Sequence, residues 1–303
     1  MADDEFWFSI SDSDLLLWLQ GVNVTKKYDV IIDEIDVCPV QIQGPLSEDL
    51  MAKLAGEELR EIPYYGLMET KIGGADVVIS QTGFTGEKGY EIYVRDAHEN
   101  AELVWNAVLE AGEEFGLMVI APAHHRRIAA GILSWGQDLD HETSPFQVNL
   151  SYQVPRNKEA DYIGKEELER QRAMIDAGDF PFKMRMVGIT LGGKEITDYA
   201  PDFWLIADMD GKDVGYVTSP WWSPELNTNI ALAWVPCGSS DVGTKLQVRL
   251  PDEYSESSGV PVNAEVVDVP FRESVTPNIR EVKNCLLYTS PSPRDATLSR
   301  MPS

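Results

Sequence analysis

The sequence predicts an α+β fold that gives way, over its last third, to an all-β part. Three observations carry this. The chain has 303 residues, 43% of them hydrophobic and eight of them Trp, which is enough for more than one core, since single cores stop growing near about 250 to 300 residues. Through about residue 178, strand-like and helix-like patterns alternate loosely, without the regularity of a parallel sheet and its phosphate loops. From 184 to 271 nearly every segment is a short β run bounded by turns, as in a small antiparallel barrel or sandwich. The expected division is a first domain over 1–178, a second over 179–283 and a tail over 284–303.

Taken in order, Phe6, Phe8 and Ile10 alternate as in a strand, and a strand so early lacks partners before it. Met1 is therefore expected to be an internal methionine of a longer protein. "DSDLLLWLQG" predicts a short helix over 13–20, with Ser/Asp at its start and Gly21 as its stop. "DVIIDEID" and "VCPVQIQGP" read as β-rich pieces, the second punctuated by Gly44 and Pro45. "SEDLMAKLAG" predicts a helix with Ser47 as N-cap, Glu48 and Asp49 at its positive end and Gly56 as its stop. "IPYYGLMETKIGG" and "ADVVIS" predict strands paired about Gly73 and Gly74. Leu103, Val104, Ala107, Val108 and Ala111 form an apolar stripe at helical spacing, giving a helix over 97–115. Another helix is expected over 122–133, and "KEELERQRAMIDAG" should form the helical connection to the all-β part. The end is foreign in character: residues 285–303, a Ser, Pro and Arg mixture without periodicity, resemble an adapter translated in frame and are set aside.

Charge and composition exclude more than they assign. A formal charge of −25 would repel a phosphate backbone, so no nucleic-acid partner is expected. The acid excess reads as a solvated surface. Apolar runs such as "LLLWL" fall short of the roughly 20 residues that span a bilayer, so a cytoplasmic protein with no membrane partner is expected. Cys38, Cys237 and Cys285 lack paired spacing, which supports neither a disulfide framework nor a zinc knuckle. Cys38 reads as a core residue. His124 and His125 have no third ligand at metal spacing, so no metal site is expected and surface or capping roles are favoured for both.

"QTGFTGEKGYEIYV", residues 81–94, is the densest stretch. If "GYEIYV" is a strand, Tyr90, Ile92 and Val94 share one face while Glu91 and Tyr93 share the other. Gly83, Gly86 and Gly89 permit a tight connection with Phe84 and Thr85 at its tip. A carboxylate beside a ring can accept two adjacent donors from a flat heterocycle such as a pterin. A plain hairpin exposing a Glu and a Tyr satisfies the same spacing.

This run resembles the "TGYTGEDGFEI" motif of the folate-dependent aminomethyltransferase (glycine cleavage T-protein) family. "VCPVQIQGPLS", "RRIAAGILSWGQDLDHETSPFQVNLSYQV", "ADYIGKEEL" and "MRMVGITL…GKDVGYVTSPWWSPELNTNIALAWVP" are similar to further family segments in the family's order, so the resemblance extends from about residue 6 to 271. It implies a multidomain T-protein-like fold with a C-terminal antiparallel β-barrel, and tetrahydrofolate as cofactor. Carried over by position, the pterin-holding glutamate falls on Glu91, with Tyr93 and Phe84 against the folate. Arg127 falls on the family arginine, open to pairing with a folate carboxylate, with Glu91, or to capping its helix. Trp135, with Gln137 and Asp138, lies in a loop expected to face the same pocket, the competing reading being a packed Trp beside a solvated Asp. Ala129 stands where the family has glutamate and Asn149 where it has glycine. The family's catalytic aspartate corresponds to a position upstream of residue 1, so no catalytic residue is assigned and the chain as it stands is expected to be inactive.

"FWFSISDSDLLLW" is similar to the "SIADSD" segment of the dimethylsulfoniopropionate demethylase subgroup, while "GFTGEKG" departs from that subgroup's Trp-containing loop. The implied activity is transfer of an aminomethyl or methyl unit from an N-, S- or O-linked donor to N5 of tetrahydrofolate, the donor being a small molecule or one borne by a lipoyl carrier protein. The alternatives are a demethylase-like enzyme, a non-catalytic folate-binding protein on the same scaffold, and a folate module of a larger oxidase.

Overall fold

The computed structural model describes residues 1, 4–10, 14–121 and 124–272. The chain divides into two compact units, Phe8–Ala123 and a second that gathers Met1–Trp7 with His124–Glu273. Residues 124–178, read from sequence with the first domain, thus cluster with the barrel that follows them. The tail expected over 284–303 lies outside the described residues.

In the Phe8–Ala123 unit, α1 (Leu15–Lys26) precedes β1 (Val37–Gln43), α2 (Ser47–Ala55), β2 (Leu67–Ile72), β3 (Ala75–Ser80), β4 (Gly89–Arg95) and α3 (Ala97–Gly112). The strands form one antiparallel sheet in the order β1-β4-β3-β2. Side-chain alternation decides its faces. Tyr90, Ile92 and Val94 of β4 are fully buried with Val77 and Ile79 of β3, and Leu50, Met51, Val104 and Val108 from α2 and α3 close that core. Gly73 and Gly74 both take positive φ, 61° and 96°, the backbone that a two-residue hairpin demands.

Several local expectations give way here. Residues 6–10 form no strand, and Phe6 and Phe8 are 68% and 67% exposed. Residues 29–36 likewise form no strand, and Ile31 is 90% exposed. The helix expected over 13–20 runs on past Gly21 to Lys26, because one glycine costs a helix only about 1 kcal/mol. Lys27, with φ 55° and its N–H donating to the Asn23 carbonyl, ends it instead. Ser47 is the first helical residue of α2 and not its cap. Its hydroxyl donates to the Lys88 carbonyl at 3.1 Å, tying α2 to the 81–88 loop. Cys38 shares a face of β1 with Val40 and Ile42 but sits near the start of the strand, where it is exposed rather than part of the core.

In the other unit, α4 (His124–Ala129) and α5 (Lys165–Asp176) precede β5 (Met184–Leu191), β6 (Trp204–Ala207), β7 (Asp213–Ser223), β8 (Thr228–Pro236), β9 (Lys245–Val248) and β10 (Val262–Val267). Where the sequence predicts short β runs, over 184–271, six strands form, and they close into a barrel in the order β10-β5-β8-β7-β6-β9. Closure pairs every strand on both sides and removes the open edges of a sandwich. Strand β8 is buried on both faces. Ala231, Ala233 and Val235 fill the barrel, while Ile230, Leu232 and Trp234 pack outward with Ile128 and Ala129 of α4.

Candidate functional site

Glu91 and Tyr93 lie on the face of the four-stranded sheet opposite its core. Register sets Gln41 and Ser80 on either side of Glu91, and Pro39 and Val78 on either side of Tyr93. Glu91 and Tyr93 are half-buried there, on one side of β4 as alternation requires. The Tyr93 hydroxyl donates to Glu91 Oε2 at 3.1 Å, and the Thr82 hydroxyl donates to the same oxygen. Oε1 receives neither bond and is not sealed from solvent among the described residues. Burial holds the Tyr93 phenol above its ordinary value; a hydrogen bond from Ser9 opposes this and the Glu91 carboxylate adds to it.

The 81–88 loop makes a tight connection between β3 and β4. Gly86 has φ 71°, a backbone that side chains disfavour. At Gly89 a Cβ would stand 2.6 Å from the Ile42 carbonyl oxygen, so only glycine lets β4 begin so close to β1. Beneath the loop, the Thr85 hydroxyl donates to Gln43 Oε1 at 2.5 Å, and Lys88 pairs with Glu48 of α2. Phe84, at the tip, is 43% exposed. The structure therefore brings Glu91, Tyr93 and the Phe84 loop together in one unit. It also adds Thr82, which sequence reading missed. Its signal was present, as Thr82 lies two residues beyond Ser80 on the same face.

Arg127 is placed differently. Its side chain is 1% exposed, and Nη1 donates to Asp138 Oδ2 at 2.7 Å, Nη2 to Ser219 Oγ at 2.8 Å and Nε to His124 Nδ1 at 3.2 Å. The guanidinium nitrogens thus all have partners within this unit, and the arrangement offers none of them to a free carboxylate. Asp138 is buried as well, which overturns the reading of it as a solvated or pocket-facing acid. It accepts from the Ser134 N–H and from the hydroxyls of Thr218 and Ser219. A β-bulge between Val217 and Ser219 lets these two consecutive residues point the same way. Trp135, beside this loop, is 39% exposed and so is not the packed indole of the competing reading.

His124 is half-buried. Its ring stacks on Trp221 at 5.5 Å and meets Tyr199 edge-on at 4.1 Å. Burial, and then Arg127, push the imidazole down to about 4 against the opposing pull of Asp138, so it is neutral at pH 7. Asn149 adopts φ 62° while bonding to Arg185 and to the Met186 carbonyl. Asparagine tolerates that left-handed backbone better than most residues, which accounts for it where the resembled family has glycine.

Residues 1–158 match the GCVT N-terminal domain, and residues 185–272 match the glycine cleavage T-protein C-terminal barrel domain. The chain belongs to the glycine cleavage T-protein family. It is 33% identical over 252 residues to the dimethylsulfoniopropionate demethylase of Ruegeria pomeroyi, an alignment covering 83% of this chain and 66% of that protein. It is 29% identical over 284 residues to the aminomethyltransferase of a Geobacillus species, covering 89% of this chain and 73% of the relative. The fold matches the crystal structure of the glycine cleavage system aminomethyltransferase T from Bartonella henselae, with a TM-score of 0.64 at 20% identity, over 85% of this chain and 66% of that one. The chain thus spans about two thirds to three quarters of these family members. The matched C-terminal barrel coincides with the six-stranded barrel described above. Among the described residues, no helix is long and apolar enough to cross a membrane.

Proposed function

We propose that this chain serves a tetrahydrofolate-dependent one-carbon transferase whose pterin is held by Glu91. The observation that carries the reading is the half-engaged carboxylate, with Oε2 fixed by two hydroxyls and Oε1 left open beside a half-buried ring. That chemistry fits the donor edge of a pterin, because an ionised carboxylate makes the stronger, charge-assisted hydrogen bonds and a fixed one loses little freedom on binding. When bound, tetrahydrofolate supplies N5 as the acceptor of an aminomethyl or methyl carbon from an N-, S- or O-linked donor. Glu91 orients the ring system, Tyr93 steadies Glu91 and narrows access of water, and Phe84 gives the loop an apolar tip to lay on the ligand. Arg127 acts as a positioning residue, holding Asp138 and the loop that carries Trp135. The donor is a small molecule or a group on a lipoyl carrier, and the unpaired thiols fit a cytoplasmic setting.

A second reading is favoured by the 33% identity to a dimethylsulfoniopropionate demethylase, namely transfer from an S-methyl donor to give methyl-tetrahydrofolate. Titrating the protein with tetrahydrofolate, by calorimetry or Trp fluorescence, tests the shared premise. Micromolar binding that Glu91→Gln weakens about a hundredfold is the expected result, and equal affinity in both proteins would remove Glu91 from the site. Turnover with sulfonium, N-methyl and aminomethyl donors then separates methyl-tetrahydrofolate from methylene-tetrahydrofolate as product. Because the chain by itself is expected to be inactive, turnover is read on a chain extended to the full length of its relatives; binding without product from any donor there would leave a folate-binding protein and overturn the transferase reading.

A further inference from the structure

We propose that Thr82 is a positioning residue that aims the Glu91 carboxylate, an inference that rests on the reading of Glu91 as the pterin-holding group. The rotation of a Glu carboxylate about its last torsion is soft, with broad, roughly two-fold preferences. That rotation is set by whatever donors reach the oxygens. Both donors here, Thr82 and Tyr93, reach Oε2. Its lone pairs are occupied while those of Oε1 remain, so the carboxylate presents one defined oxygen to a ligand.

Thr82 commits its single hydroxyl proton to Glu91. Its hydroxyl has one proton and two acceptors in reach, Glu91 Oε2 and Ser80 Oγ at 3.2 Å. The charged acceptor wins, because a hydrogen bond to a carboxylate is roughly twice as strong as one between neutral groups. The Ser80 proton is directed elsewhere, to the Gly66 carbonyl at 3.3 Å. Thr82 is also β-branched, which stiffens its χ1, and it lies just beyond β3, two residues past the Ser80 that pairs with Glu91. Tyr93, by contrast, reaches the same oxygen on a long side chain.

The test measures tetrahydrofolate dissociation constants, under anaerobic conditions, for the wild type, Thr82→Val, Thr82→Ser, Tyr93→Phe and Glu91→Gln. Thr82→Val keeps the shape and removes the donor, and about a tenfold weakening is expected, the size of one lost hydrogen bond to a charge. Thr82→Ser restores the donor and should bring affinity back to within about twofold. Tyr93→Phe should weaken binding less than Thr82→Val does. Combined with Glu91→Gln, Thr82→Val should cost nothing further, because the group it aims is gone. A role in packing alone would instead show the same loss in both backgrounds and no rescue by serine, and that result would overturn the proposal. If Thr82→Val binds as the wild type does while Glu91→Gln does not, Thr82 is no positioning residue and the Glu91 reading survives. If Glu91→Gln binds normally, the parent reading itself falls. Should Thr82→Val lower the melting temperature so far that binding is lost with the fold, Thr82→Ala is compared with Thr82→Ser in its place, with the same two outcomes.

Discussion

Two carboxylates in this protein, Glu91 on the sheet face and Asp138 beside the barrel, are handled in opposite ways. Asp138 is buried to 0% side-chain exposure against an Arg127 at 1%, and three donors besides that arginine reach its carboxylate. Glu91 is half-buried and both of its hydroxyl donors share one oxygen. The first arrangement is saturated and so can only hold structure together. The second keeps one strong acceptor in reserve, and an acceptor in reserve is what a ligand with donors needs. Charge alone does not separate the two groups; what separates them is that Asp138 has spent its hydrogen-bonding capacity and Glu91 has kept part of it.

The largest effect that would sharpen this contrast comes from breaking the saturated pair. Arg127→Met strands a buried carboxylate and should cost about 3–5 kcal/mol, read as a fall in the urea midpoint; a change under about 1 kcal/mol would mean that the pair is not structural. Gly89→Ala should come next, losing about 1–3 kcal/mol because a methyl group must enter the space of the Ile42 carbonyl. Full stability in that variant would show that the approach of β4 to β1 can relax. Glu91→Gln should leave stability within about 0.5 kcal/mol of wild type, despite its effect on folate affinity. If it destabilised the fold as Arg127→Met does, the two carboxylates would not differ in kind.

The smallest effect is a pH slope from His124. Its folded pKa of about 4 lies below the ordinary value of 6.5, so the unfolded chain binds the proton more readily. The associated stability is fully present above pH 6.5 and is lost as the pH falls toward 4. Protonation would also remove the Nδ1 lone pair that accepts from Arg127. His124→Gln should flatten the dependence of the urea midpoint on pH across that window. An unchanged slope would assign it to other groups.

Much of the architecture was legible along the chain because it rests on local periodicity. The six barrel strands, the Gly73-Gly74 hairpin and the two-faced pattern of β4 each follow from alternation and turn chemistry. Where apolar residues had no partner strand, the same alternation misled. Residues 6–10 and 29–36 carry a strand-like pattern, yet they find no ladder among the described residues. Arg127 and Asp138 were misread for a related reason. Eleven residues apart, they gave no hint that Thr218 and Ser219, about eighty residues further on, would surround the aspartate.

By itself, the sequence determined the faces of β4, the succession of barrel strands and the family to which the chain belongs, because periodicity and motif order are properties of neighbouring residues. Only the tertiary structure decided which charges are spent and which remain available. Hydrogen-bond saturation depends on which donors the fold delivers to each oxygen, Thr82 from the loop before β4 for Glu91 and Thr218 and Ser219 of the distant β7 bulge for Asp138.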